Sequence, residues 1–112
     1  MLKENKDFLL EHAVYEIVKS IPRGRVTSYG AIAKAIGYPN YSRMVGRIMG
    51  KCNSSNIPAH RVVNSSGILS GKEAFGNFNE MQTLLKSEGI IVVKDRIQNF
   101  KTVFWEPLKE IN

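Results

Sequence analysis

Apolar residues recur at helical spacing through Leu10, Ala13, Val14, Ile17, Val18 and Ile21, while Glu11, Lys19 and Ser20 fall on other faces. That pattern predicts an amphipathic helix ending before Pro22. Arg23-Gly24-Arg25 reads as a turn, and Val26 and Thr27 lead into Ser28, a hydroxyl suited to cap a short helix carrying Ile32, Ala35 and Ile36. Gly37 and Pro39 end that helix. A second is predicted over residues 40–51, with Met44, Val45, Ile48 and Met49 on its buried side and Arg43, Arg47 and Lys51 four apart on the other. Two short helices joined by Gly37-Tyr38-Pro39-Asn40 match a helix-turn-helix in length and turn chemistry. The alternative is an ordinary helical hairpin whose basic stripe faces water.

Further along, residues 57–63 read as extended, Asn64-Ser65-Ser66-Gly67 as a turn, and Ile68-Leu69-Ser70-Gly71-Lys72 as a returning segment, together a small wing or binding loop. Asn79-Glu80-Met81-Gln82 forms a capping pattern for a helix through Leu84 and Leu85, closed by Gly89. Residues 90–93 and 102–105 are expected to pair as short strands around residues 95–99. Trp105, ahead of Pro107, reads as a packing anchor rather than a base-stacking platform, because only Lys101 and Lys109 are basic nearby. The expectation is a mainly α domain with small β elements, spanning residues 1–112 as one unit.

Charge sharpens this picture. The formal net charge is +6, yet no Asp or Glu occurs in residues 17–72, where Lys19, Arg23, Arg25, Lys34, Arg43, Arg47, Lys51, Arg61 and Lys72 all fall. A basic field concentrated over half the chain attracts polyanions, and nucleic acid is the expected partner class. The length, with 43% hydrophobic residues, suffices for a core without disulfides or metals. The single cysteine, Cys52, excludes an internal disulfide, and the distance in sequence between His12 and His60 argues against zinc. With Lys3, Glu4, Lys6 and Asp7 at the N-terminus and no apolar run of membrane-spanning length, a cytoplasmic protein without cofactor is expected.

Four segments, Thr27-Ser28-Tyr29-Gly30, Ser42-Arg43-Met44-Val45-Gly46, Ile57-Pro58-Ala59-His60-Arg61-Val62 and Asn64-Ser65-Ser66-Gly67, stand in the order and at the spacing of the DNA-binding domain of O6-alkylguanine-DNA alkyltransferases. The chain resembles that domain over residues 8–89, which implies a winged helix-turn-helix-like fold. In those repair proteins the motif is Pro-Cys-His-Arg-Val, and its cysteine takes the alkyl group irreversibly from a flipped guanine. Ala59 stands in that place, and its methyl can neither attack nor coordinate. The resemblance is therefore to the alkyltransferase-like members, which bind the lesion without removing it. Many of these carry tryptophan where this chain has alanine, so a roomier pocket is expected here. In the enzymes a glutamate on the following helix completes a proton relay with the motif histidine. Gln82 aligns with it, so acceptor and relay are both expected to be lost.

The resemblance also implies roles for particular residues. Arg43 matches a finger that enters the base stack through the minor groove, while Arg47 and Lys51 are expected to contact DNA because they share its basic face within the acid-free window. Tyr29 matches a residue pressing on the phosphate 3′ to the target. The lesion pocket is expected to comprise Met49, Pro58, Ala59, Val62, Leu69, Ser70, Gly71 and Lys72, with Ser70 reading the O6 edge and Lys72 touching lesion or phosphate. His60 and Arg61 are expected to be structural, and no metal or cofactor is implied. The implied partners of a monomer are double-stranded DNA containing O6-alkylguanine and nucleotide excision repair proteins. Two rivals remain: a sequence-specific winged-helix transcription factor, for which Asn40 is the one base-reading candidate, and an alkyltransferase using Cys52.

Overall fold

The computed structural model, which describes residues 2–52, 55–71 and 79–110, opens on helix α1 (Leu2–Ser20). Leu10, Val14 and Val18, spaced four apart, form its buried stripe, and Ile21 extends it just before Pro22. Strand β1 (Thr27–Ser28) runs directly into helix α2 (Tyr29–Ala35), whose first turn is capped by Ser28 Oγ accepting from the Ala31 amide at 3.1 Å. Gly37 then takes a φ of +89°, a left-handed conformation that a side chain disfavours, while Tyr38 N donates back to Ala33 O at 2.9 Å. Helix α3 (Ser42–Gly50) follows. It is shorter than the predicted 40–51, because Tyr41 N donates to Tyr38 O and so ends a separate turn. Val45, Ile48 and Met49 face inward against α1 and α2.

The segment expected to be an extended strand is mostly otherwise. Residues Ala59–Arg61 make a single 3-10 turn, and only β2 (Val62–Val63) is strand. β2 pairs in parallel with β1, Thr27 opposite Val62 and Ser28 opposite Val63. The turn after it does form, with Asn64 Oδ1 accepting from the amides of Ser66 and Ile68 at 2.9 Å each. The returning segment, however, bridges Arg96 through Ile68 rather than pairing with β2, so these residues do not make a hairpin wing.

Helix α4 (Glu80–Ser87) ends at Gly89, φ +85°. Strands β3 (Val92–Val93) and β4 (Arg96–Ile97) then pair with each other, antiparallel, across Lys94 and Asp95. Both turn residues have positive φ, which matches the right-handed twist of a two-residue hairpin. Residues 102–105 therefore do not pair with 90–93. Phe100–Val103 is a short helix, α5, and Phe104 instead bridges Val26 in parallel beside β1. Arg25 secures that contact, its Nε and Nη2 donating to the carbonyls of Val103 and Phe104 at 3.1 and 2.6 Å. Helix α6 (Pro107–Glu110) completes the described chain.

Two apolar clusters result. One joins Val14, Val18, Ile32, Val45, Met49, Val62 and the buried Trp105; the other joins Val26, Val63, Leu69, Met81, Leu85, Ile90 and Ile97. β2 contributes to both, Val62 to the first and Val63 to the second, since alternate residues of a strand point to opposite sides. No helix among the described residues is long and apolar enough to cross a membrane.

Candidate nucleic-acid interface

Folding sorts the basic residues of the acid-free window. Arg23 donates to Ser87 O, Arg25 to the C-terminal carbonyls and Glu110, and Arg61 to Glu88, while Lys19 pairs with Glu16. Lys34, Arg43, Arg47 and Lys51 are exposed on α2, on α3 and just past it. The helix-turn-helix thus presents a positive surface, with Arg43 near the N-terminal end of α3 and Asn40 exposed in the turn ahead of it.

The parallel β1–β2 ladder places Tyr29, first residue of α2, beside the turn that carries Ala59. Between them lies a cavity of about 40 Å³. Four of the residues assigned to a pocket from sequence line it, namely Met49, Ala59, Val62 and Gly71, joined by Tyr29. Gly46, Gly50 and Met81 complete the wall. The cavity opens where the two apolar clusters meet, since Met49 and Val62 belong to one and Met81 to the other. Leu69 does not join it: its side chain is 1% exposed within the second cluster, where apolar burial outweighs any pull toward a wetter cleft. Pro58 precedes the 3-10 turn, Ser70 is exposed, and both lie outside the lining; Lys72 lies outside the described residues. Cys52, half-buried, is not part of the wall.

At about 40 Å³ the cavity is far smaller than the roughly 300 Å³ of a small-molecule site. A β-carbon at Gly71 would stand 2.7 Å from Tyr29 Oη, so the bare backbone leaves room for the hydroxyl. A β-carbon at Gly46 or Gly50 would meet nothing within 4 Å, so packing does not demand glycine there. Glycine inside a helix costs about 0.5–1 kcal/mol relative to alanine, and what α3 gains in return is open space at the cavity. Two glycines four apart on a helix are the sequence signal that marks this wall.

Behind Ala59 lies a buried ionic cluster. The Glu88 side chain is 4% exposed. Its Oε1 accepts from the Gly24 amide and Arg61 Nε, both at 3.0 Å, and its Oε2 accepts from Arg61 Nη2 at 2.8 Å and lies 2.6 Å from His60 Nε2. Burial by itself raises the carboxyl pKa, but the Arg61 guanidinium, the Gly24 amide and His60 outweigh it and hold the group at about 2. An ionised carboxylate only accepts, so His60 Nε2 donates, and in the neutral ring Nδ1 is the acceptor. Arg61 Nη1 also reaches Ile21 O at 2.9 Å, tying the turn to the end of α1. The acid facing the motif histidine is thus Glu88, not Gln82. Gln82 lies six residues earlier and round on another side of α4, whereas Glu88 caps the end of that helix against the 3-10 turn. His60 and Glu88 thus form a buried pair directly behind Ala59, whose methyl lines the cavity.

A family profile described as the 6-O-methylguanine DNA methyltransferase DNA-binding domain matches residues 9–90. The chain belongs to that family. Alkyltransferase-like protein 1 of Schizosaccharomyces pombe is 32% identical over 99 residues, covering 84% of this chain and 92% of that protein. A DNA base-flipping protein of Vibrio parahaemolyticus is 35% identical over 95 residues, covering 84% and 93%. The crystal structure of S. pombe Atl1 in complex with damaged DNA containing O6-carboxymethylguanine matches at a TM-score of 0.77 and 32% identity, over 88% of this chain and 96% of that one. Mycobacterium tuberculosis OGT in complex with DNA matches at 0.63 and 35% identity, over 70% of this chain and 48% of that one. The mainly helical fold with small sheets is the helix-turn-helix type of the 6-O-methylguanine DNA methyltransferase family.

Proposed function

We propose that this protein binds O6-alkylguanine in duplex DNA by turning the modified nucleotide out of the helix and into the cavity beside Ala59, and that it leaves the alkyl group in place. The observation that carries this reading is a cavity lined by a methyl group where a nucleophile would stand, next to an intact His60–Glu88 pair. Dealkylation needs a thiolate aimed at the alkyl carbon; Ala59 offers no such atom and Cys52 lies off the wall. The names of the S. pombe and V. parahaemolyticus relatives support the same reading.

Extrusion costs a few kcal/mol, less for a base that already pairs poorly, so O6-alkylguanine is favoured over guanine before the pocket makes any contact. Arg43 enters the gap, where its planar guanidinium bonds the orphaned cytosine and stacks on neighbouring bases. Arg47 and Lys51 neutralise phosphates. Tyr29 works at both the 3′ phosphate and the cavity wall, and the bound base is walled by Met49, Val62, Gly71 and Met81, with Ser70 and Lys72 at the rim. The reading includes a monomer acting in the cytoplasm, and a bound lesion marked for nucleotide excision repair.

The test is a titration at fixed salt on two duplexes differing only in guanine versus O6-methylguanine. Tighter binding to the modified duplex is expected, and equal affinity would leave general DNA binding alone. Duplex carrying label on the methyl group should transfer none of it to the protein; labelled protein would make this an enzyme. Retention of excision-repair proteins on lesion DNA only when this protein is bound tests the handover, and retention that ignores its presence removes that part.

A further inference from the structure

The turn between α2 and α3 carries two aromatic rings that the core does not use. Tyr38 and Tyr41 stack with centroids 4.9 Å apart and planes inclined by 23°, and neither ring belongs to the two apolar clusters. Tyr41 remains 37% exposed. It occupies the N-cap position of α3, with its amide donating to Tyr38 O at 2.9 Å and its carbonyl accepting from Val45 N at 3.0 Å, so ring and backbone are both anchored. Arg43 follows two residues later, at the same end of the helix. Core burial therefore does not account for the pair, and its place does.

We infer that Tyr41 is a second DNA contact beside Arg43, its hydroxyl donating to a backbone phosphate, with Tyr38 as the positioning residue that holds the ring. Phosphate oxygens accept from neutral tyrosine donors as well as from cations, and such contacts set the register of a protein on its duplex. A tyrosine has few rotatable bonds, and one already stacked loses little freedom on binding. No acidic residue in positions 17–72 repels phosphate from this end of α3. The inference rests on the proposed DNA-binding reading and adds a residue to it.

Tyr41→Phe keeps the ring stack and removes only the hydroxyl. Measured across a salt series on guanine and O6-methylguanine duplexes, it should bind both about ten- to hundredfold more weakly, the loss of one hydrogen bond to a charged group. The slope of log affinity against log salt should stay as in the wild type, because a neutral donor releases no counterion, whereas Arg47→Ala should reduce that slope by about 1. Tyr38→Ala should weaken binding and Tyr38→Phe restore it. Wild-type affinity in Tyr41→Phe, or an equal loss in both Tyr38 variants, overturns the assignment. A wild type that ignores the lesion defeats the lesion reading alone, since the tyrosine contact is still read on the unmodified duplex.

Discussion

Glu88→Gln keeps the shape of the side chain and removes its charge from a site where Arg61, Gly24 and His60 all converge. The folded carboxyl is held at about 2 against an ordinary 4.5, and at about 1.4 kcal/mol per pH unit the ionised form contributes about 3 kcal/mol to stability. The folded value is the depressed one, so this contribution is complete above about pH 4.5 and disappears as pH falls through about 2. Urea melts at pH 7 should find the variant less stable by about 3 kcal/mol, a large share of a small domain's total, because Arg61 is left buried without its counter-charge. Repeating the melts from pH 5 down to 2 should bring the two proteins closer together. Glu16, held low by its Lys19 hydrogen bond, and Glu110, held low by the Glu106 amide, titrate in both proteins and cancel in the comparison. A variant within 1 kcal/mol of wild type at pH 7, or curves that stay parallel to low pH, would refute the structural role given to the cluster.

Gly46→Ala should raise stability by roughly 0.5–1 kcal/mol while weakening the preference for O6-methylguanine, because the new methyl enters open space at the cavity; an unchanged preference in titrations would remove Gly46 from the pocket. Arg43→Ala should lose more lesion affinity than Lys34→Ala, since an inserted finger does more than neutralise one phosphate. Equal losses would show that Arg43 is an ordinary phosphate contact. Gly71→Ala should displace Tyr29, whose hydroxyl oxygen would stand 2.7 Å from the new β-carbon, and so lower lesion affinity at a stability cost near 1 kcal/mol; lesion binding at wild-type strength would mean that this wall does not meet the base.

The helix-turn-helix was legible because its signals are local. Helical spacing in α1 and α3, the Ser28 cap and the left-handed Gly37 each act within a few residues. Lys94-Asp95 lacks the Asn-Gly or Asp-Gly signature of a two-residue hairpin although it takes up that geometry, so the pairing of β3 with β4 is not legible and residues 90–93 look as if they pair with 102–105. Gly46, Gly50 and Met81 joined the cavity wall only once β1 had met β2 and the two apolar clusters had closed around it.

One residue identity, alanine at position 59, determines without any fold that no thiolate can form there, and the absence of acids from residues 17–72 determines that the partner is a polyanion. The His60–Glu88 pair was a tertiary matter. Glu88 lies 28 residues from His60 and 64 from Gly24 along the chain, and a helix end has no local pattern announcing which distant groups it will meet. The same holds for the cations: sequence counts them, but only packing separates Arg61, turned inward on a carboxylate, from Arg43, left facing water, because desolvating a charge is tolerated only where a partner is in place.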